Sequence, residues 1–167
     1  VRQNLLNGLN KKEEAYKHFN LDPMKKTILV VGGSLGARTI NESLLLGLEK
    51  ISSDKDIQVI WQTGKFYIED IKKSVSEMGI NTDNLYISDF IPNMDLAYSI
   101  ADLVVSRAGA SSISELSLLK KACILVPSPN VSEDHQRKNA MALVEKDAAI
   151  MITDDKSREE LVASMLD

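Results

Sequence analysis

The sequence predicts an α/β domain: a Rossmann-like, parallel six-stranded sheet with helices on both faces. Three observations predict it. Six short apolar runs alternate with segments of helical periodicity. The connections between them are short and carry Gly, Pro, Asn and Asp. The 167 residues suffice for one domain with a sizeable core.

In chain order, residues 1–10 read as an irregular lead-in, and "KKEEAYKHF" as a short helix ending near Asn20 and Pro23. "TILVV" (27–31) is a continuous apolar run, a strand buried on both faces. "GGSLGA" breaks it. "TINESLLLGLEKI" reads as one helix, with Ile40, Leu44 and Leu48 on one side. "IQVIWQT" (57–63) is the second strand, and "FYIEDIKKSVSEMG" a helix closed by Gly79. "NLYISDF" is the third strand, "NMDLAYSIA" a short helix and "DLVVS" the fourth strand. "ASSISELSLLK" is a helix and "ACILVP" the fifth strand. "DHQRKNAMALVEK" is a helix, "AAIMI" the sixth strand, and "SREELVASML" the last helix.

Bulk properties narrow the function classes. The net charge of -4 argues against nucleic acid as the main partner. Basic residues are scattered apart from Lys11, Lys12 and Lys17. No apolar run approaches membrane-spanning length, and no secretory signal stands at the start. The chain begins with Val1 rather than Met, as expected of a cut end. The single cysteine, Cys123, lies inside an apolar run and reads as an inert buried thiol.

A doubly wound sheet places its ligand outside the carboxyl ends of its strands, so the loops on that edge matter most. The first is Gly32-Gly33-Ser34-Leu35-Gly36-Ala37, where glycines let backbone amides approach an oxyanion at a helix start. A tight turn without a ligand is the alternative. The dinucleotide fingerprint fails at its middle glycine, and the second strand ends in Gln62 rather than an acid. No lysine follows a glycine run, so a nucleotide-hydrolase loop is excluded as well.

The second loop is "RAGASSISEL", where Gly109, Ala110, Ser111 and Ser112 form a small-residue helix start. Glu115 follows, and its two acceptor oxygens match a vicinal diol such as a ribose. A capping box between Ser112 and Glu115 explains the same spacing. The third loop, "SDFIPNM", offers Phe90, Ile91 and Met94 either as core or as a slot for a flat base. The fourth, "PSPNVSEDHQRKNA", begins a helix with His135 and Gln136, which can hydrogen-bond sugar hydroxyls. Asp54-Lys55-Asp56 has an acid pair at metal-ligand spacing, but it precedes the second strand, on the wrong edge, and reads as a solvated loop.

Together, "VVGGSLGARTIN", "SDFIPNMDLAY", "ADLVVSRAGASSISEL" and "EDHQRKNA" resemble the MurG family of bacterial glycosyltransferases over essentially the whole chain. The leading "VR" resembles the end of that family's linker. The resemblance implies the C-terminal, donor-binding half of a GT-B enzyme: residues 1–20 as an interdomain lead-in with a short helix, and 21–167 as the UDP-sugar-binding domain. It implies transfer of N-acetylglucosamine from UDP-N-acetylglucosamine to lipid I, giving lipid II for peptidoglycan. The transfer would be inverting and would need no metal or cofactor. The general base, the acceptor site and the membrane-facing patch would lie in an absent N-terminal domain, leaving this piece able to bind donor but not to transfer. The whole protein would be peripheral on the cytoplasmic face of the inner membrane, with the fragment itself soluble.

The resemblance also assigns residues. Arg2, Gly33, Ser34 and Gly36 would contact the diphosphate. Phe90, Ile91 and Met94 would build the uracil pocket. Substrate contacts would run from Gly109 through Ala110, Ser111, Ser112, Ile113 and Ser114 to Glu115, with Glu115 on the ribose hydroxyls. His135 and Gln136 would face the sugar, Asn139 would support that region, and Arg107 would shape its loop. Two other readings remain open: a UDP-N-acetylglucosamine 2-epimerase-like domain and a non-catalytic nucleotide-binding module.

Overall fold

The structure is a computed structural model that describes residues 11–32, 36–129, 135–146 and 149–166. Six parallel strands form one sheet: β1 Lys26–Val31, β2 Ile57–Gln62, β3 Leu85–Ser88, β4 Leu103–Ser106, β5 Ala122–Leu125 and β6 Ala149–Met151. Their order is β3-β2-β1-β4-β5-β6. The helices are α1 Lys12–Phe19, α2 Arg38–Leu46, α3 Leu48–Ser53, α4 Ile68–Met78, α5 Met94–Ile100, α6 Ala110–Leu119, α7 His135–Val144 and α8 Ser157–Met165. A 3-10 turn, Asp154–Lys156, links β6 to α8.

Side-chain alternation divides the interior into two cores. Leu29 and Val31 of β1 point into a core shared with α1, α5, α6 and α7. Ile28 and Val30 point the other way, into a core shared with α2, α3, α4 and α8. Strands buried on both faces have no polar side to show, which is why they read as unbroken apolar runs. The lead helix α1 belongs to the first core through Ala15 and Phe19, and Phe19 meets Tyr86 edge-on at 4.8 Å. Asn20 closes α1 in the left-handed conformation, with φ 55°.

The expected single helix over 39–51 is two helices, α2 and α3, divided at Gly47. Packing explains the glycine at that junction. A Cβ on Gly47 would stand 2.6 Å from the side chain of Val162 on α8, so only hydrogen lets α8 lie this close. Gly47→Ala is therefore expected to cost about 1–3 kcal/mol of stability through overpacking. Urea unfolding should show that loss as a lower midpoint at an unchanged slope.

Cys123 is buried, and burial pushes its thiol up to about 11, as an inert core residue requires. The Asp54-Lys55-Asp56 loop is a local turn, in which the Asp56 amide donates to the Asp54 carboxylate at 2.9 Å.

Candidate functional site

The strand order reverses between β1 and β4. From β1 the chain builds outward through β2 to β3, then returns to β4 and builds the other way. Val31 and Ser106 are register partners at the carboxyl ends of these two strands, so Gly32 and Arg107 leave the sheet side by side. Their connections separate above and below the sheet and leave a crevice between them, the general ligand position of this architecture.

α6 opens on one side of that crevice. Gly109 is its N-cap, with φ -68° and ψ 155°, and no side chain caps the helix. The amides of Ala110, Ser111 and Ser112 therefore lie at a helix start whose partial positive charge no carboxylate satisfies. The capping box is not formed: Gly109, not Ser112, holds the cap position. Glu115 sits further along α6, half-buried, where its Oε2 accepts a long hydrogen bond of 3.4 Å from the Tyr98 hydroxyl. Ile113 is half-buried and packs against the first core, whereas Ser114 is exposed.

Side chains from later in the chain fix the loop before α6. Ala108 is fully buried. Its N–H donates to Gln136 Oε1 at 3.3 Å, and its carbonyl accepts from Asn139 Nδ2 at 3.1 Å. Gln136 Oε1 also accepts the Ser128 amide at 2.8 Å. That oxygen is thus committed to two backbone amides, which leaves the Gln136 NH2 group as the part able to meet a sugar. Arg107 Nη1 bonds Asp154 Oδ1 at 2.6 Å and the carbonyls of Val126 and Pro127, both at 3.3 Å. Its guanidinium ties strand ends together. A concavity of about 280 Å³ opens beside these groups, with Ser128, Arg137, Met151 and Asp154 among its walls.

The loop after β3 crosses toward the same crevice, because α5, which it feeds, packs against β1 and presents Tyr98 to Glu115. Phe90 is 53% exposed on that loop. Ile91 is 2% exposed and belongs to the core, so its side chain forms no open slot, and its backbone is what remains for a base edge. Met94 is half-buried against the same core. Gly36 holds φ +96°, and a Cβ there would stand 2.7 Å from the Tyr67 ring, so fold alone requires this glycine. His135 is the exposed first residue of α7. Arg2, Gly33 and Ser34 lie outside the described residues.

The family model of the glycosyltransferase family 28 C-terminal domain matches residues 27–167, all six strands and most of the chain. The chain belongs to that family. It is 59% identical over 166 residues to a protein of Parabacteroides distasonis named UDP-N-acetylglucosamine--N-acetylmuramyl-(pentapeptide) pyrophosphoryl-undecaprenol N-acetylglucosamine transferase, covering 99% of this chain and 44% of that one. A protein of the same name from Bacteroides fragilis is 54% identical, covering 100% of this chain and 44% of the relative. The crystal structure of Acinetobacter baumannii MurG superposes with a TM-score of 0.72 at 29% identity, over 92% of this chain and 44% of that one. The chain thus spans under half the length of these relatives. The resemblance to the MurG family holds along the whole chain, and the fold is the Rossmann-like C-terminal half of a GT-B glycosyltransferase.

Two residues of the site carry no motif that would mark them in the sequence. Tyr98 reads as helix filler, and Asp154 follows a strand whose loop carries no glycine. The position of Asp154 on the carboxyl edge is the one signal that points to it.

Proposed function

We propose that this chain is the donor-binding half of an inverting glycosyltransferase that moves N-acetylglucosamine from UDP-N-acetylglucosamine onto lipid I, giving lipid II. The observation that carries this reading is the uncapped α6 start, Gly109 to Ser112, beside the β1–β4 crevice and one helical turn from the Glu115 carboxylate. Amides at the helix start take the diphosphate, Glu115 takes the ribose hydroxyls, and the Phe90–Met94 loop takes the uracil. His135 and the Gln136 amide face the sugar, while Arg107 and Asn139 hold the loop. Arg2, Gly33, Ser34 and Gly36 are assigned to the far side of the diphosphate.

As the anomeric bond breaks, UDP gains negative charge, and fixed N–H dipoles aimed at it stabilise the transition state more than the ground state. That charge stabilisation requires no metal or cofactor. The general base, the lipid acceptor site and the contact with the cytoplasmic face of the membrane are assigned to the remainder of the enzyme. No described helix is long and apolar enough to cross a membrane. This chain alone is then expected to bind donor without transferring sugar.

Calorimetric titration tests the reading. The chain should bind UDP in preference to ADP, and Glu115→Ala should weaken UDP binding by about 1–3 kcal/mol through loss of a charged hydrogen-bond acceptor. Unchanged UDP affinity in the folded variant would remove the ribose role. Equal affinity for the two nucleotides, or silence toward both, would overturn the donor reading.

A further inference from the structure

Asp154 sits where three segments of the carboxyl edge meet. Both of its carboxylate oxygens are engaged: Oδ1 accepts from Arg107 Nη1 at 2.6 Å, and Oδ2 accepts from the Thr39 hydroxyl at 2.9 Å. Thr39 is the second residue of α2, the helix that follows the glycine loop. Arg107 opens the loop that leads to α6 and also holds the carbonyls of Val126 and Pro127. One carboxylate therefore links the start of α2 to the approach of α6, the two helix starts that flank the β1–β4 crevice. The link is sheltered, with the Arg107 and Asp154 side chains 19% and 18% exposed. A short charge-assisted bond shielded from water holds its geometry better than a surface pair.

We infer that Asp154 is a positioning residue that sets this site's preference for a nucleoside diphosphate over a monophosphate, an inference that rests on the donor-binding reading. A monophosphate needs one helix start. A diphosphate must meet the α6 start with one phosphate and the α2 side with the other, so it depends on their separation. Asp154 holds that separation. It also keeps the Arg107 guanidinium turned into the strand ends.

The test is titration of UDP and UMP into the chain and four variants. Asp154→Asn and Thr39→Val should each lower UDP affinity about tenfold, the scale of one lost charged hydrogen bond, and change UMP affinity by less than about twofold. Thr39→Ser keeps the hydroxyl and should keep the wild-type ratio. Glu42→Gln removes the more exposed Arg158–Glu42 pair, 2.7 Å, which joins α2 to α8 without either of the Asp154 hydrogen bonds, and should also keep it. An unchanged UDP-to-UMP ratio in folded Asp154→Asn and Thr39→Val would overturn the inference, as would parallel losses for both nucleotides. A rise in UDP affinity in Asp154→Asn would overturn it too, by showing that Asp154 merely withholds Arg107 from the phosphates. Wild-type chain that binds neither nucleotide defeats the donor reading itself, and the inference with it.

Discussion

Asn41→Ala is expected to remove about 3 kcal/mol or more of folding stability, a loss readable in urea unfolding as an early midpoint with an unchanged slope. Asn41 is 3% exposed on α2. Its Oδ1 accepts the indole N–H of Trp61 at 3.0 Å, and its Nδ2 donates to the Thr63 carbonyl at 2.9 Å. Trp61 is fully buried, so its N–H cannot turn to water once the amide is gone. Each stranded polar group costs about 1–3 kcal/mol, and the hole left by the side chain adds to that. Asn41→Asp keeps the acceptor, loses the donor and buries a charge, and so should rescue nothing. The effect should reach the site as well. The Thr63 carbonyl lies against Gly36, where any Cβ would strike it, so loosening the end of β2 loosens the exit of the glycine loop. A loss below about 1 kcal/mol would show that water replaces the amide at both partners.

The architecture was legible because its signals are local. Five residues of β1 are buried side by side, and an unbroken apolar run as short as "TILVV", bounded by lysines and glycines, fits little besides a strand covered on both faces. Gly79 announces a helix end by its own conformation, φ +63°, with open space around it. Gly47 looks the same in sequence yet answers to Val162, more than a hundred residues later, and no local pattern contains that contact. The site divides along the same line. Gly109 to Glu115 was readable because small residues and hydroxyls at a helix start have a chemical meaning of their own. The hold on that loop was readable only in part: the family resemblance names Arg107 and Asn139 for it, but not the groups they bond. Gln136 reads as a sugar-facing group, yet its Oε1 accepts the Ala108 amide; Asn139 reads as a support and bonds the Ala108 carbonyl; and no local pattern ties Asp154 to Arg107 and Thr39. Ile91 shows the same limit, since an apolar loop residue declares its hydrophobicity and not the side on which it is buried.

Gly109→Val is expected to cost only about 1 kcal/mol of stability, the ordinary loss of an apolar N-cap, yet to weaken UDP binding by at least about a hundredfold. The two halves of this expectation come from one observation. Gly109 has φ -68° and ψ 155°, an ordinary extended conformation that a β-branched residue adopts without strain, and a Cβ built there meets nothing within 4 Å. Neither backbone geometry nor packing asks for glycine at this position, in contrast to Gly36 and Gly47, where neighbours forbid a side chain. On the donor reading, the demand comes from the ligand: phosphate oxygens must come within hydrogen-bond distance of the α6 amides, and a Cβ with two methyl groups at the N-cap takes up that approach. Calorimetry of UDP binding beside thermal unfolding of the same sample separates the two effects. Wild-type affinity in stably folded Gly109→Val would mean that the space in front of α6 is plain solvent, and the diphosphate would have to be sought elsewhere on the carboxyl edge.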